Sequence, residues 1–339
     1  MIDVLVVGGG PVGLATALYA ERCGLDVAVM EPRPGPIDKA CGEGLMPGAV
    51  AALADLDVAV GGRAFRGIRY TNGSRCAEAL FSTGTGRGFA RTELHSALLG
   101  QVQARGIELI EGSVSNIEQG DRQVTAAGVT ARYLVAADGL HSTVRRLSGL
   151  QGPPSRTAPR WGLRRHFEMP PWRDLVDVHW APHSEAYVTP LGDNLVGLAI
   201  LTDRRGSFDE HLMAFPELQQ RLSGVTGSAV RGAGPLRQAS TARVHGRVLL
   251  VGDAAGYVDA LTGEGLAVGL ASAHALVSCL RAGQPARYER QWLRASRRYR
   301  AITESLMWVS AKPRLRKAIV PLAAAAPPLF GHLVRQIGR

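Results

Sequence analysis

Gly8-Gly9-Gly10-Pro11-Val12-Gly13 fits G-x-G-x-x-G and lies between an apolar, strand-like IDVLVV and a helix-like PVGLATALYAERCG. In that setting Gly8 allows a tight turn, Gly10 lets a pyrophosphate approach the backbone, and Gly13 permits close packing of helix on sheet. Pro11 and Val12 open the helix, whose free N–H groups and dipole favour an anion. Glu31 follows Gly13 by eighteen residues, ending a second apolar strand, LDVAVME, where a carboxylate bonds ribose hydroxyls; Arg33 stands beside it. The chemistry is dinucleotide binding. A second stretch, KACGEGLMPG (Lys39–Gly48), holds a free thiol, Cys41, among glycines, a lysine and an acid, in a segment too flexible to be a helix.

The elements that must position these groups follow from apolar periodicity. Residues 1–31 read as a βαβ unit. AFRGIRYTNG and SRCAEALFS form a hairpin turning at Asn72-Gly73, RTELHSALLGQVQARG is a helix, and IELIEG and YLVAADG are strands. Between Arg160 and Leu201 the period changes to successive strands: RWGLRRHFEM, DVHWA, EAYVTPLG and NLVGLAIL. These predict an antiparallel platform rather than another βαβ repeat. GRVLLVGDAAG returns to a buried strand, GEGLAVGLASAHALVSCL gives a long helix, and further helix runs on to Trp308, broken at Lys312-Pro313.

Asp138-Gly139 in YLVAADGLHSTVRR and Gly252-Asp253 in VLLVGDAAGYVDALTGEGL each end a strand, and GFARTELHSALL centres on Arg91. With the glycine motif, in this order, they resemble the fingerprint of the para-hydroxybenzoate hydroxylase-like flavoproteins, a superfamily that also holds the geranylgeranyl reductases. The resemblance runs to about Leu280 and implies FAD. Glu31 would then bind the adenosine ribose and Arg91 would lie near the pyrophosphate. Asp138 and Gly139 would shape the site, and Asp253 would bond the ribityl chain, with Gly252 leaving it room. Gly263-Glu264-Gly265 opens the long helix, so its N–H groups would face the flavin pyrimidine edge. His141, after the Asp138-Gly139 turn, reads as a cap for the next helix.

The subtype divides. Aromatic hydroxylases of the family often carry histidine and proline after GDAA, where this chain has Gly256 and Ala260. GDAAG…TGEG and the cysteine of KACGEG look more like the reductase branch, yet that branch's aromatic lipid motif Y-x-W-x-F-P is missing. The resemblance places Cys41 at the flavin face, with Lys39 or the glycine N–H groups favouring its thiolate. There it donates a proton to carbon or simply packs as a small hydrophobe. His166, Trp180, Tyr187 and Thr189 come from the platform, whose inward face would line a substrate pocket, although only about half of such residues can face it.

Composition excludes other classes. The four cysteines form no C-x-x-C pair, which fits a reducing cytosol and argues against a disulfide framework or a zinc site. No apolar run reaches the ~18 residues of a membrane span. G-x-S-x-G, H-E-x-x-H and Walker A are absent. Of the net charge of +10, residues 281–339 hold thirteen Lys/Arg against Glu289 and Glu304, so the body is close to neutral and carries no nucleic-acid stripe. The tail meets an anionic membrane surface or packs on the FAD domain with its arginines outward.

The expected fold is α/β: a Rossmann-type FAD-binding domain (1–70, 88–158 and 240–280) interleaved with an antiparallel-sheet substrate domain (71–87 and 159–239), then a basic helical C-terminal region (281–339). The expected function is FAD-dependent monooxygenation of an apolar or phenolic molecule of polyketide or quinone-precursor type, through a flavin C4a-hydroperoxide. NAD(P)H serves as transient reductant, without a second nucleotide motif. The alternatives are a geranylgeranyl reductase-like saturation of C=C bonds in a prenyl or other lipidic substrate, and a flavin-binding redox module without turnover. The expected location is cytoplasmic, with peripheral membrane contact through the basic tail.

Overall fold

The computed structural model describes residues Met1–Gly338. Its first sheet is built around Ile2–Val7, flanked in parallel by Val27–Met30 and Val129–Ala136. Glu108–Ile110 extends one side and Val248–Leu250 the other, both parallel, and Val244–His245 closes an edge antiparallel. The inner strands read as unbroken apolar runs because both faces are covered. Helices Pro11–Arg22, Arg91–Ala104 and Gly265–Arg281 pack on them, and the resulting core holds Val4–Val7, Leu14, Leu18, Leu134 and Leu249–Val251.

The second sheet has seven strands: Arg231–Ala233, Trp161–Phe167, Leu195–Thr202, Ser184–Gly192, Val176–Trp180, Gly67–Thr71 and Cys76–Leu80, in that spatial order. The four strands expected between Arg160 and Leu201 are antiparallel neighbours. The early hairpin joins this platform through a parallel pairing of Gly67–Thr71 with Val176–Trp180. The expected boundary at residue 70 therefore falls inside a strand whose partners all belong to the platform. A three-stranded sheet of Gly44–Leu45, Gly86–Gly88 and Arg63–Phe65 bridges to Ser184–Gly192.

Helix Pro47–Asp55 takes up the last residues of KACGEGLMPG, with proline at its first turn; the glycines of that stretch concealed the helix start. Ser142, rather than His141, caps helix Thr143–Leu147, accepting a hydrogen bond from the Arg145 N–H, while His141 contacts Gly234 O at 3.2 Å.

The C-terminal region departs from the packing expected of it. Helix Tyr288–Ser310 lies on Gly265–Arg281, but helices Pro313–Ala325 and Pro327–Ile337 pack on the platform edge, against Cys76–Leu80. Phe330 packs with its ring tilted against Tyr70, the centres 4.8 Å apart. Arg316 points inward rather than outward: it is buried, donates to Ala181 O and Ser184 O, and pairs with Glu185 at 2.7 Å. Arg160 reaches Glu185 from the other side at 2.6 Å and Asp259 at 3.0 Å, so one buried ionic cluster ties the platform, the segment after Gly252-Asp253, and the C-terminal helices together.

Candidate functional site

One cavity runs between the two sheets, and its wall takes residues from Gly8 to Ile337. One end is formed by Gly8, Gly10, Pro11 and Val12 from the first loop, Glu31 and Arg33 from the second strand end, and Arg91. Ala137–Gly139, Gly252-Asp253, Gly263 and Gly265 complete that end. Two helices, Pro11–Arg22 and Gly265–Arg281, begin at the cavity wall, and neither has a side-chain cap, so their leading N–H groups stay free for an anion.

The glycines of the first motif differ in purpose. Gly8 has φ +111°, and a Cβ there would lie 2.5 Å from Ala137 O. A Cβ on Gly13 would overlap Gly8 O, which holds the helix close to its turn. Gly10 is open: nothing lies within 4 Å of where its Cβ would be, and it faces the cavity. Glu31 accepts the Gly9 N–H at 2.8 Å and pairs with Arg33 at 2.6 Å. Burial works against its ionisation, but these hydrogen bonds outweigh burial and hold the carboxyl below its usual range.

This end fits FAD on its own chemistry. Asp138 Oδ1 and Arg91 Nε are buried on the cavity wall without hydrogen-bond partners, which asks for a polar ligand. Arg33, Lys39 and Arg91 bring three cations to the wall of the cavity on which the free helix ends open. Lys39 points toward Gly139, its Nζ 3.0 Å from where a Cβ on that glycine would sit. Burial lowers its pKa while the charge of Asp253 counters that pull. Asp253 is itself pushed up by burial, against the nearby cations. Lys39 thus serves this end of the cavity rather than Cys41.

The other end is apolar. Leu163, Val176, Val178 and Leu201 line it from the platform, with Ile68 and Tyr70 from the early hairpin, Leu261, and Ile337 from the last helix. Tyr187 and Thr189, two apart on one strand face, are both present; Tyr187 donates to Leu261 O at 3.0 Å and Thr189 to Gly42 O at 2.9 Å. His166 and Trp180 are not in the wall. His166 stands behind Glu43, its Nε2 2.6 Å from Glu43 Oε2, and Trp180 lies past the cavity under the Arg316 guanidinium. Both occupy the expected strand face, but too far along their strands.

Cys41 lines the cavity, and Glu43 N–H donates to its sulfur at 3.4 Å. Burial raises the thiol's pKa, outweighing the nearby Arg91, so the neutral S–H replaces the expected thiolate. The acid of the same stretch has a role that its sequence position did not announce. Glu43 is buried in a left-handed conformation (φ 56°), accepts the Arg91 N–H at 2.9 Å and contacts His166. It pins the Cys41 loop to the start of helix Arg91–Ala104 and to the platform.

Glu264 also differs from expectation. Gly263 and Gly265 face the cavity, but the Glu264 side chain turns away toward Arg298, 3.6 Å distant on helix Tyr288–Ser310, and is buried there. Burial lifts its pKa to about 7 despite Arg298. The folded chain holds this proton to about pH 7, whereas an unfolded glutamate releases it near 4.5, so stability falls as pH rises across that interval. Glu264→Gln is expected to flatten the fall. Urea midpoints at about pH 5 and about pH 8 would test this, and an unchanged difference between them would refute it.

A sequence family described as an FAD binding domain matches residues 1–186. The chain belongs to this family. Menaquinone reductase of Mycolicibacterium smegmatis is 27% identical over 380 residues, spanning 99% of this chain and 91% of that protein. Protoasukamycin 4-monooxygenase of Streptomyces nodosus subsp. asukaensis is 30% identical over 358 residues, spanning 90% and 86%. The crystal structure of p-nitrophenol 4-monooxygenase from Pseudomonas putida DLL-E4 superposes with a TM-score of 0.77 at 23% identity, covering 99% of this chain and 95% of that one, and shares the fold. This flavoprotein is an FAD-dependent oxidoreductase of the para-hydroxybenzoate hydroxylase-like and geranylgeranyl reductase superfamily.

Proposed function

We propose that this flavoprotein saturates carbon–carbon double bonds of an apolar, prenyl-bearing substrate, and that Cys41 supplies the proton. The observation that carries the reading is the Cys41 thiol in the wall of a cavity whose far end is lined mainly by apolar side chains. Reduced FAD, when bound, supplies hydride. The substrate carbon that takes the proton does so from Sγ–H, and solvent reprotonates the sulfur, so each turnover adds two hydrogens. Tyr187 and Thr189 satisfy their hydroxyls on the protein and hold the wall in place. Lys39, Arg91 and the free start of helix Pro11–Arg22 would hold the cofactor's phosphates, and the free start of helix Gly265–Arg281 its pyrimidine edge. The likeness to menaquinone reductase over nearly the whole chain supports this reading.

A second reading, monooxygenation of an apolar or phenolic molecule, draws on the 30% identity to Protoasukamycin 4-monooxygenase. One experiment separates the two. Flavinated protein is given NADPH, NADH or dithionite with a polyprenyl menaquinone in detergent micelles, with and without isotopically heavy dioxygen. The reductase reading expects a product that forms without air and that, after the quinone ring is reoxidised, is still two hydrogens heavier, with both hydrogens in the prenyl chain. It also expects Cys41→Ser to keep its flavin and lose activity by about 100-fold or more. A product carrying one heavy oxygen and absent without air overturns it, and undiminished Cys41→Ser turnover removes the thiol from the chemistry.

A further inference from the structure

We propose that helices Pro313–Ala325 and Pro327–Ile337 seat this protein on an anionic bilayer surface, next to the apolar end of its cavity. The two helices meet at a bend of 102°, and among the described residues no single helix is long and apolar enough to cross a membrane. Their inner faces are already occupied: Ile319, Val320, Phe330 and Val334 are buried against the platform. What remains outside is unusually apolar. Leu322 is 64% exposed and Leu329 70%, with Leu315 seven residues before Leu322 and so on the same helix face. Trp308, 59% exposed, carries the Lys312 ammonium 3.4 Å from its ring centre.

Charge selects the occupant. Lys312, Arg314, Lys317 and Arg335 are exposed around these apolar side chains, and no acid lies between Ser305 and Gly338. A second copy meeting this face with its own would bring the same positive charge to the contact and be repelled. An anionic lipid surface offers the opposite charge together with an acyl boundary for the leucines and the tryptophan. The bend and the buried inner faces make the contact interfacial rather than spanning. The helix that carries Leu329 outward carries Ile337 inward to the cavity wall, and its Phe330 packs against Tyr70 of that wall. An apolar substrate held in the bilayer would therefore meet the protein one helix away from its site. This last consequence rests on the reading of the substrate as apolar; the docking does not.

The test is cosedimentation of the full-length flavinated protein, without substrate, with phosphatidylcholine vesicles and with vesicles of phosphatidylcholine and phosphatidylglycerol. Binding to the anionic vesicles alone is expected, reversed by high salt and reduced at least tenfold in Leu322→Glu/Leu329→Glu. Both side chains are exposed, so the variant should keep its flavin absorbance and thermal midpoint. Equal binding of the variant, no binding to anionic vesicles, or equal binding to neutral ones overturns the proposal. So does light scattering that shows a dimer which the double variant abolishes, because the face would then belong to a second copy. Vesicle binding with no reduction of a polyprenyl quinone would leave the docking standing and remove only the chemical reading.

Discussion

Gly10→Val is expected to give a folded protein that has lost its flavin. The backbone at Gly10 has φ −71° and ψ 172°, an extended conformation that valine adopts freely. No atom lies within 4 Å of the position its Cβ would take, so the branch point of the side chain meets no clash. Losing glycine at this helix start costs no more than about 1 kcal/mol. The added methyl groups, however, stand in the cavity where a pyrophosphate would approach the backbone. The purified variant should be colourless, with far-ultraviolet circular dichroism close to that of the wild type. Gly13→Ala makes the contrasting case, because its Cβ overlaps Gly8 O and disturbs the loop itself. It should lose both flavin and stability. A yellow Gly10→Val protein would mean that the cofactor does not lie along this loop.

Glu185→Leu is expected to show the largest loss of stability. Glu185 is fully buried and accepts charge from both sides, 2.6 Å from Arg160 and 2.7 Å from Arg316. Removing it leaves two buried guanidinium groups, with only Asp259 and backbone carbonyls to answer them. A buried pair broken on one side typically costs about 3–5 kcal/mol, because the remaining charge is stranded in a poor dielectric. Burial and the nearby Glu185 charge already push the Asp259 carboxyl up to about 6, against the pull of Arg160. Urea denaturation would read the loss, and limited proteolysis should release the C-terminal helices first. Adding Arg160→Met, Arg316→Leu and Asp259→Asn should restore much of the stability, since an uncharged cluster of similar volume often matches a buried ionic one. A loss below about 1 kcal/mol would place the cluster among incidental contacts.

How much of this could be read beforehand depended on the range of the interaction. The Gly8–Gly13 loop and Glu31 follow a local spacing rule that needs no distant partner, and they meet at one end of the cavity. Strand alternation selected the correct face for Tyr187 and Thr189. It also selected Trp180 and His166, which lie on that face but beyond the cavity, because alternation says nothing about position along a strand. Glu43 was illegible: its partners, Arg91 and His166, are brought to it only by folding. Ile68, Tyr70 and Ile337 carry no sequence signal of their own, because an apolar cavity wall and a packed interior draw on the same residue types. Arg316 looked like one more solvated cation in a basic tail, and only the packing of the last helices on the platform turns it inward. The thiolate expected of Cys41 failed because burial, which a sequence does not state, outweighed the neighbouring positive charge.

The parallel pairing of Val129–Ala136 with Val248–Leu250 has a kinetic meaning as well as a structural one. Between these strands the chain makes most of the platform before it returns to complete the first sheet. The segment matched by the family, residues 1–186, lacks both that returning strand and helix Gly265–Arg281, whose N-terminus opens on the cavity. Expressed alone, it would present Leu134–Ala136 as an unpaired apolar edge, an invitation to aggregate. Contacts so distant along the chain must await slow loop closure, so refolding from denaturant should be slow and prone to off-pathway association.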